Sequence, residues 1–364
     1  MTQREQQILE WIRQDPMISQ EDLAQRAGIT RSSVGVHISN LMKKGCILGK
    51  GYLLPDSGYV AVAGAVNVDI GGRSAGPLVG RDSNPGTVTV SMGGVGRNIA
   101  HNLRLLGVRV SLLTALGEDP HAGQVADSCE RLGIDLSRAL HVSGGTTSTY
   151  LFLSDETGDM ALAVSDMGIY EALTPAYFAR HLGFLNGAAL VVADANLPQE
   201  ALDYLAHHCT APLLVDPVST VKAEKVRPIL GKLHTLKPNR LEAELLSGVA
   251  IRDLPSARQA AGKLLETGLQ RVFISLGTQG VFAADHTQDV WYPCCPAQMR
   301  SATGAGDAFA AALAWAFLEG KDLAYSARAA NAAAAIAVEG EKTINPALSA
   351  EAVQARMTEQ EEAL

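Results

Sequence analysis

Residues 301–320 read SATGAGDAFAAALAWAFLEG. Asp307 follows three small residues, Gly304, Ala305 and Gly306, and opens a run that is almost entirely apolar. Small residues let successive backbone N–H groups converge on one point, where the dipole at the start of a helix is positive. Such a site suits the charge that develops on a transferring phosphoryl group, and an ionised Asp307 can accept a proton from a hydroxyl. Taken alone, the same residues also fit a glycine-rich turn whose aspartate simply begins a helix.

Short β-branched runs alternate with helical stretches through most of the chain. Nearly continuous apolar runs include YVAVAGAVNVDI at 59–70 and PLLVDPVS at 212–219, and VGRNIAHNLRLLG at 95–107 is one of the helical stretches. Apolar strands separated by helices predict an α/β fold, a doubly wound and mostly parallel sheet with helices on both faces. Strand-like sections at about 82–92 and 147–166 interrupt this alternation and predict a small separate sheet inserted in the body.

Composition excludes several classes of protein. The 364 residues carry a net charge of −8, which argues against a whole molecule that binds polyanions. No run approaches about 18 apolar residues without a charge or a glycine, and the charged N-terminus has no apolar signal core. We therefore expect a cytoplasmic protein that does not contact the membrane. The five cysteines are odd in number, scattered and without metal-ligand spacing, which favours reduced thiols.

The sequence matches neither of two common nucleotide-binding motifs. GGVGRNIA at 93–100 has Ile99 where G-x-G-x-x-G requires its third glycine, and it does not follow the first strand. The Gly-Lys pairs of the chain are followed by glycine or leucine, whereas a Walker loop requires serine or threonine there. TGAGD at 303–307 is therefore the remaining candidate for a phosphate-handling turn.

The first 54 residues differ from the rest in charge and in pattern. They hold seven Lys or Arg and five Asp or Glu, a balance of +2, whereas the remaining residues carry −10. REQQILEWIRQD, SQEDLAQRAG and TRSSVGVHISNLMKKG predict three helices, and CILGKGYLL at 46–54 predicts a short wing. Together they resemble the winged helix-turn-helix of small bacterial regulators. PDSG at 55–58 predicts a linker to a second domain of residues 59–364.

That resemblance implies a DNA-binding role for the third helix, which would begin at Thr30 and enter the major groove. Its implied DNA contacts are Arg31, Ser32, Ser33 and His37. A balance of +2 gives a weak grip on phosphates, so binding would require a homodimer. The alternative is a three-helix cap that only packs or dimerises.

Five motifs occur in a characteristic order along the larger part: GAVNVDI, GGVGRNIAHNLRLLG, TLKPNRLEAE, SLGTQGV and TGAGDAF. In this order they resemble the ribokinase-like (PfkB) family of sugar and nucleoside kinases over residues 58–350. Within that family, DSNPG, GGVGRNIA, TSTYL, VDPVS and HTLKPNRLEAE resemble bacterial pseudouridine kinases.

The resemblance implies a role for each matching residue. Asp307 would be the catalytic base, with Gly304, Ala305 and Gly306 as the anion hole. The implied substrate contacts are Asn67 and Asp69 at the carboxyl end of the first strand, Gly93, Gly94 and Asn98. The two strand-like sections at about 82–92 and 147–166 match the family's β lid, on which Thr149 and Asp166 would be further contacts. ATP would contact Asn239, Ser275, Gly277, Gly280, Thr303 and Asn331. Glu242 and Asn239, the N-x-x-E pair, would order Mg²⁺ through water. A turn carboxylate, a helix cap or an ordinary glycine turn remains the alternative for each of these residues.

Two departures from the family pattern bear on substrate and ions. Val95 stands where sugar kinases of the ribokinase type often have lysine, which speaks against a charged sugar and fits a nucleoside. Ser301-Ala302-Thr303 replaces the family's Asp-Thr-Thr, whose aspartate commonly helps to hold a monovalent cation. A K⁺ requirement is therefore left open.

The expected function is ATP- and Mg²⁺-dependent phosphorylation of the 5′-hydroxyl of pseudouridine, coupled to a DNA-binding module. Two alternatives stay open from the residues alone. One is another nucleoside or pentose kinase, for ribose or inosine, and the other is a transcriptional regulator with a kinase-like sensor domain. A homodimer is expected, because winged helices pair on palindromic sites and related kinases often pair through their lids.

Overall fold

A computed structural model describes residues 1–15, 18–47 and 58–363, with side chains to residue 361. The chain divides into two compact units. The first holds the N-terminal residues to Gly58 and the segment Gly183–Ala188, and the second holds Tyr59–Leu182 and the residues from Ala189 onward. In the described part of the chain, no helix has the length and apolar character that crossing a membrane requires.

Three capped helices form the N-terminal unit: α1 (Gln3–Gln14), α2 (Gln20–Ala27) and α3 (Arg31–Lys43). Their N-caps are Thr2, Ser19 and Thr30, and α2 ends at Gly28 with φ of 64°. Apolar residues at helical spacing meet in one core: Ile8, Leu9, Ile12, Leu23, Val34, Ile38 and Leu41. Most of the predicted wing, and residues 55–57 of the predicted linker, lie outside the described residues.

Strands and helices alternate in the second unit. Its strands are β1 (Val60–Ala63), β2 (Asn67–Ser74), β3 (Gly86–Gly93), β4 (Val110–Leu113), β5 (Ala115–Leu116), β6 (Ile134–Asp135), β7 (Leu140–His141), β8 (Thr149–Ser154), β9 (Met160–Asp166), β10 (Leu190–Asp194), β11 (Leu213–Asp216), β12 (Thr235–Leu236), β13 (Arg271–Ser275), β14 (Val281–Asp285) and β15 (Asp289–Tyr292). Its helices are α4 (Val95–Leu105), α5 (Pro120–Leu132), α6 (Pro175–Gly187, which runs into the segment above), α7 (Gln199–His208), α8 (Thr220–Ala223), α9 (Arg240–Ser247), α10 (Leu254–Leu265), α11 (Ala305–Leu318), α12 (Leu323–Val338) and α13 (Ala350–Ala363). Short 3₁₀ turns cover Gly168–Ala172, Arg227–Lys232 and Gly277–Gln279.

The main sheet has nine strands in the order β15-β14-β13-β12-β11-β10-β1-β4-β6. All neighbouring pairs are parallel except β13–β14 and β14–β15. Its central strands β1, β4, β10, β11 and β12 are buried on both faces, and α11 packs against both α12 and α4 in the hydrophobic core. The predicted fold class is therefore confirmed. Because the strands are parallel, their carboxyl ends lie along one edge, where open α/β sheets bind ligands.

A separate four-stranded sheet, β3-β2-β8-β9, contains the two sections predicted as a lid, and we refer to it by that name. Its strand β2 was not foreseen, because only Gly64–Val66 separates it from β1 and the sequence runs on as one apolar stretch. Asn67 and Asp69 therefore lie on a lid strand, and their predicted position at the end of the first strand was wrong. One face of the lid carries a row of exposed apolar side chains, the outer face: Val88, Val90, Leu151, Leu153, Leu162 and Val164.

Candidate active site

Asp307 lies in the first turn of α11, directly after a turn that only glycine fits. Gly304 is the N-cap with φ of 87°, and a Cβ there would overlap the carbonyl oxygen of Thr343. The first backbone N–H groups of an α-helix lack intrahelical partners, and no side chain caps those of α11. The turn therefore offers a set of unpaired N–H donors at the positive end of a helix dipole.

The carboxylate of Asp307 is held by one neighbour and perturbed by several. Asn98 Nδ2 on α4 donates a hydrogen bond to Asp307 Oδ2 at 2.8 Å. Burial raises the pKa of Asp307 to about 7, and the nearby Asp216 carboxylate adds to this rise, while Asn98 and Lys237 oppose it. A carboxylate whose pKa lies near neutrality is suited to general-base catalysis at physiological pH.

Two acids and one lysine, none of them predicted from the sequence as site residues, meet beside Asp307. Asp194 and Asp216 are paired residues at the ends of β10 and β11, and Lys237 follows the end of the next strand, β12. Lys237 Nζ lies 3.3 Å from Asp216 Oδ2, and both side chains are buried. Burial lowers the pKa of Lys237, but the carboxylates of Asp216 and Glu242 outweigh it and raise that pKa overall.

Lys237 also reaches the start of α11. A Cβ placed on Gly306 would lie 3.6 Å from Lys237 Nζ, so the ammonium group borders the turn that opens the helix. A charged lysine at this place can neutralise negative charge on a phosphoryl group bound by the N–H donors. The signal for it was present in KPNRLEAE, where the lysine precedes the N-x-x-E pair.

The predicted substrate contacts Asn67, Asp69, Gly93 and Gly94 lie together at the base of the lid. Asn67 Oδ1 accepts a hydrogen bond from Ser148 Oγ at 2.9 Å, and Asn67 pairs with Gly93 across β2 and β3. A Cβ on Gly93 would overlap the Asp69 carboxylate, so glycine is needed for this close approach. Burial raises the pKa of Asp69 to about 6. Because this value is still below neutrality, the carboxyl group is largely ionised at neutral pH.

Gly94 and Asn98 complete this side of the site. Gly94 has φ of 93°, and a Cβ there would lie 2.5 Å from the carbonyl oxygen of Ala65. Asn98, four residues on, is buried, and its Oδ1 has no partner among the described residues. With Nδ2 on Asp307, the free amide oxygen can accept a hydrogen bond from a substrate hydroxyl.

Thr149 and Asp166 are not brought together with Asp69. Thr149 pairs with Val68 and with Asp166, so both face the side of the lid sheet opposite Asp69. The lid residues on the face of Asp69 are one position away: Ser91, Tyr150, Phe152 and Ser165. A shift of one residue along a strand exchanges the two faces, so Thr149 and Asp166 lie away from Asp69, and their role as substrate contacts stays a prediction.

Asn239 and Glu242 form a reciprocal cap at the start of α9. Asn239 Nδ2 and its backbone N–H donate to the two Glu242 oxygens at 2.8 and 2.9 Å, and Glu242 N donates to Asn239 Oδ1 at 3.0 Å. Glu242 is only 2% exposed, so it is not a surface residue. Burial raises the pKa of Glu242, against the hydrogen bonds from Asn239.

This pair fits Mg²⁺ held through water. Each carboxylate oxygen of Glu242 accepts one hydrogen bond and retains a lone pair for a metal-bound water. Mg²⁺ keeps several waters and is usually bound through one or two carboxylates and the substrate phosphates. Among the described residues, no three His, Cys, Asp or Glu side chains converge into a cage that could hold a metal ion directly.

The remaining predicted ATP contacts surround the end of β13. Ser275 lies beside Asn239 through a parallel bridge, and Gly277 and Gly280 flank the short turn that follows, with φ of 62° and 89°. A Cβ on Gly280 would overlap the carbonyl oxygen of Tyr292.

Two further predicted contacts lie on other elements. Asn331 is buried on α12, and its Nδ2 donates to the carbonyl oxygen of Pro293 at 2.6 Å. Thr303 is exposed immediately before Gly304.

The third helix of the N-terminal unit presents a different exposed face from the one predicted. Arg31 and Ser32 are exposed, and the hydroxyls of Ser32 and Ser33 lie 2.9 Å from Thr30 Oγ1 in the cap. His37 is only half-exposed, and its Nδ1 is buried without a partner. The residues that continue the exposed face beyond Ser32 are Val36, Ser39 and Lys43.

Family models match both parts of the chain. Residues 57–350 match the model described as pfkB family carbohydrate kinase. The chain belongs to that family. Residues 1–47 match the model described as winged helix-turn-helix DNA-binding, so both resemblances inferred from the motifs are confirmed.

Relatives of this pfkB-family chain include two proteins of Escherichia coli K12. The "Uncharacterized sugar kinase YeiI" is 38% identical over 353 residues, which cover 96% of this chain and 98% of the relative, so the match includes both units. The pseudouridine kinase is 41% identical over 293 residues, which cover 80% and 94%. Among solved structures, ribokinase from Thermotoga maritima superimposes with a TM-score of 0.74 at 25% identity, covering 83% of this chain and 99% of that chain.

Proposed function

We propose that this pfkB-family kinase transfers the γ-phosphoryl group of ATP to the 5′-hydroxyl of pseudouridine. The observation that carries the proposal is Asp307, with a pKa raised to about 7, at the uncapped start of α11 and next to a buried lysine. The substrate is supported by the 41% identity to a pseudouridine kinase over most of both chains. Val95 supports a neutral substrate, because no cation stands between the glycines of GGVG.

In the proposed reaction, the Asp307 carboxylate accepts the proton of the 5′-hydroxyl as its oxygen forms a bond to the γ-phosphorus. The bond from that phosphorus to the bridging oxygen breaks, and ADP leaves with its electron pair. The N–H groups at the start of α11 and the Lys237 ammonium group stabilise the charge of the transition state. Asp69 accepts hydrogen bonds from the ribose hydroxyls. Asn98 also accepts one through Oδ1 and donates through Nδ2 to the Asp307 carboxylate, so it connects the ribose to the catalytic base.

Mg²⁺, when bound beside Asn239 and Glu242, would neutralise phosphate charge and align the triphosphate. Asn239 also fixes the orientation of the Glu242 carboxylate through the cap. Ser275, Gly277, Gly280, Thr303 and Asn331 are proposed to border the nucleotide. The lid is proposed to close over the substrate and to exclude water, which would otherwise hydrolyse ATP.

The N-terminal unit is proposed to bind DNA through α3 and so to link nucleoside sensing to transcription. Arg31, Ser32 and Ser33 remain proposed contacts, and Val36 and Ser39 join them because they are exposed on the same helix. A gel shift with the DNA upstream of the protein's own coding sequence tests this. Loss of the shift in a Ser32→Glu/Val36→Glu variant that keeps kinase activity would support it, and no binding by the wild type would refute it.

A homodimer through the outer face of the lid completes the proposal. Six apolar side chains on this face are 41 to 74% exposed, which is unusual for a strand surface that stays in water. In a twofold-symmetric dimer, the same six side chains of a second copy of the chain would pack against them.

A substrate panel tests the enzymatic proposal. The full-length protein with ATP and Mg²⁺ is given pseudouridine, uridine, inosine and ribose, and ADP and the phosphorylated product are measured. We expect the highest kcat/KM with pseudouridine, a 5′-monophosphate as product, and no turnover by Asp307→Asn. Preference for ribose or inosine would refute the substrate, and no turnover with any of the four would refute the kinase reaction.

A further inference from the structure

Arg97 is a buried cation next to the site that the reaction above does not use. It lies on α4, immediately before Asn98, and is only 4% exposed. Its Nη1 donates to the carbonyl oxygen of Met92 at 3.1 Å, and its Nη2 donates to Ser128 Oγ on α5 at 2.8 Å. The acidic groups that act on it are the Cys129 thiol, which it hydrogen-bonds, and the Asp69 carboxyl, and its Nε has no hydrogen-bond partner among the described residues. A buried charge without a paired charge is costly, so its presence calls for a reason.

The two residues that end the lid strand β3 connect Arg97 to Asp69. Arg97 binds the carbonyl of Met92, and the Asp69 carboxylate packs directly against the Cα of the next residue, Gly93. Met92 and Gly93 also pair with Val68 and Asn67, the two residues that precede Asp69. The guanidinium group and the carboxylate therefore reach the same dipeptide, one from the body and one from the lid.

We propose that Arg97 is a positioning residue that keeps Asp69 ionised and in place for the substrate hydroxyls, acting across the Met92–Gly93 dipeptide. The role in substrate binding rests on the proposed function, whereas the action of Arg97 on the Asp69 carboxyl does not. Through Ser128, the same side chain anchors the base of the lid to α5.

Three titratable groups near this pair are neutral at physiological pH. Burial, with Arg97 as a second cause, lowers the pKa of His101 on α4 to about 4, so its imidazole carries no charge. Burial raises the pKa of the Cys129 thiol on α5 and that of the Tyr170 phenol in the 3₁₀ turn. Burial raises the pKa of Asp69, and Arg97 is the charged group among the described residues that opposes the rise.

The direct test is a titration of the Asp69 carboxyl in the full-length protein without substrate. ¹³C NMR of protein labelled at the aspartate carboxyl carbons follows each group, and Asp69→Asn identifies the signal. We expect a midpoint near 6 in the wild type and a midpoint about one pH unit higher in Arg97→Met. Arg97→Lys, which keeps the charge, and Ser128→Ala, which removes one anchor and keeps the charge, should both stay near the wild type.

An unchanged midpoint in a folded Arg97→Met variant, or an equal rise in Ser128→Ala, would overturn the proposal. Arg97→Gln provides a second uncharged variant that keeps an amide donor for the Met92 carbonyl, should Arg97→Met fail to fold. Folding of each variant is checked by its thermal unfolding midpoint.

The consequence for binding is measured in an Asp307→Asn background, where Asp307 no longer titrates. Between pH 8 and pH 6, the affinity for pseudouridine should fall about twofold with Arg97 present and about tenfold with Arg97→Met. Equal falls would show that the effect on Asp69 has no consequence for substrate binding and would contradict that part of the proposal. No binding of pseudouridine at any pH would refute the proposed substrate, while the carboxyl titration would still decide the role of Arg97.

Discussion

The rate of phosphorylation should fall in two steps as the solution is acidified, because burial raises the pKa of two carboxyl groups that must be ionised. The pKa of Asp307 is raised to about 7 and that of Asp69 to about 6. Only the ionised base accepts the hydroxyl proton, and only the ionised Asp69 accepts two hydroxyl hydrogen bonds without donating one. Relative to the plateau above pH 8, kcat/KM should be about twofold lower at pH 7 and about twentyfold lower at pH 6.

Two substitutions should move the upper step in opposite directions. Asp216→Asn removes a negative charge that raises the pKa of Asp307 and frees Lys237 to act on it, so the step should move to lower pH. Asn98→Leu removes the hydrogen bond that stabilises the ionised Asp307, so the step should move to higher pH. Each shift is read from the shape of the profile after scaling to its own plateau, because both variants will also lower the plateau.

The assay is chromatographic measurement of ADP at saturating ATP and Mg²⁺ with pseudouridine varied, which avoids coupling enzymes that have pH optima of their own. A profile that is flat between pH 6 and pH 8 would refute the assignment of Asp307 as the base. Shifts of the same sign in both variants would refute the electrostatic account of its pKa.

Three further predictions concern other parts of the second unit. Gly304→Ala should lower kcat about a hundredfold or more, because its Cβ overlaps the Thr343 carbonyl oxygen and displaces the N–H donors. Gly107→Ala is the control, because Gly107 has a similar φ and open space around it, and equal losses in the two variants would contradict the role of the N–H donors. Lys237→Met should abolish turnover, and it should lower the thermal unfolding midpoint because Asp216 is left buried and unpaired. The double variant with Asp216→Asn should recover stability but not activity. Recovery of activity would exclude a role for Lys237 in phosphoryl transfer. Leu162→Asp should reduce the molecular mass measured by light scattering from that of a dimer to that of a monomer. Leu241→Asp, at a comparably exposed leucine on α9, should leave the mass unchanged. A monomeric wild type would refute the lid interface.

Local patterns in the sequence were sufficient for much of the site. The turn at Gly304 and the helix that begins with Asp307 depend on neighbouring residues only, and so does the cap formed by Asn239 and Glu242. The alternation of apolar strands and helices was likewise enough to predict the parallel sheet.

Features that depend on strand pairing were missed. Lys237 and Asp216 are far apart along the chain and meet only because the carboxyl ends of parallel strands share an edge. Thr149 was chosen in place of Tyr150 because the register with β2, which sets the face, cannot be read from β8 alone.

His37 was placed on the exposed side of α3, although its position on the helix turns it towards the core of the unit.

A crystal structure with a non-hydrolysable ATP analogue, Mg²⁺ and pseudouridine would show whether the γ-phosphate and the 5′-oxygen meet at Asp307. We predict the γ-phosphate at the backbone N–H groups of residues 304–307, with the 5′-oxygen of the nucleoside between the γ-phosphorus and the Asp307 carboxylate. A triphosphate bound away from the start of α11, or a 5′-oxygen beyond hydrogen-bonding distance of Asp307, would contradict the account.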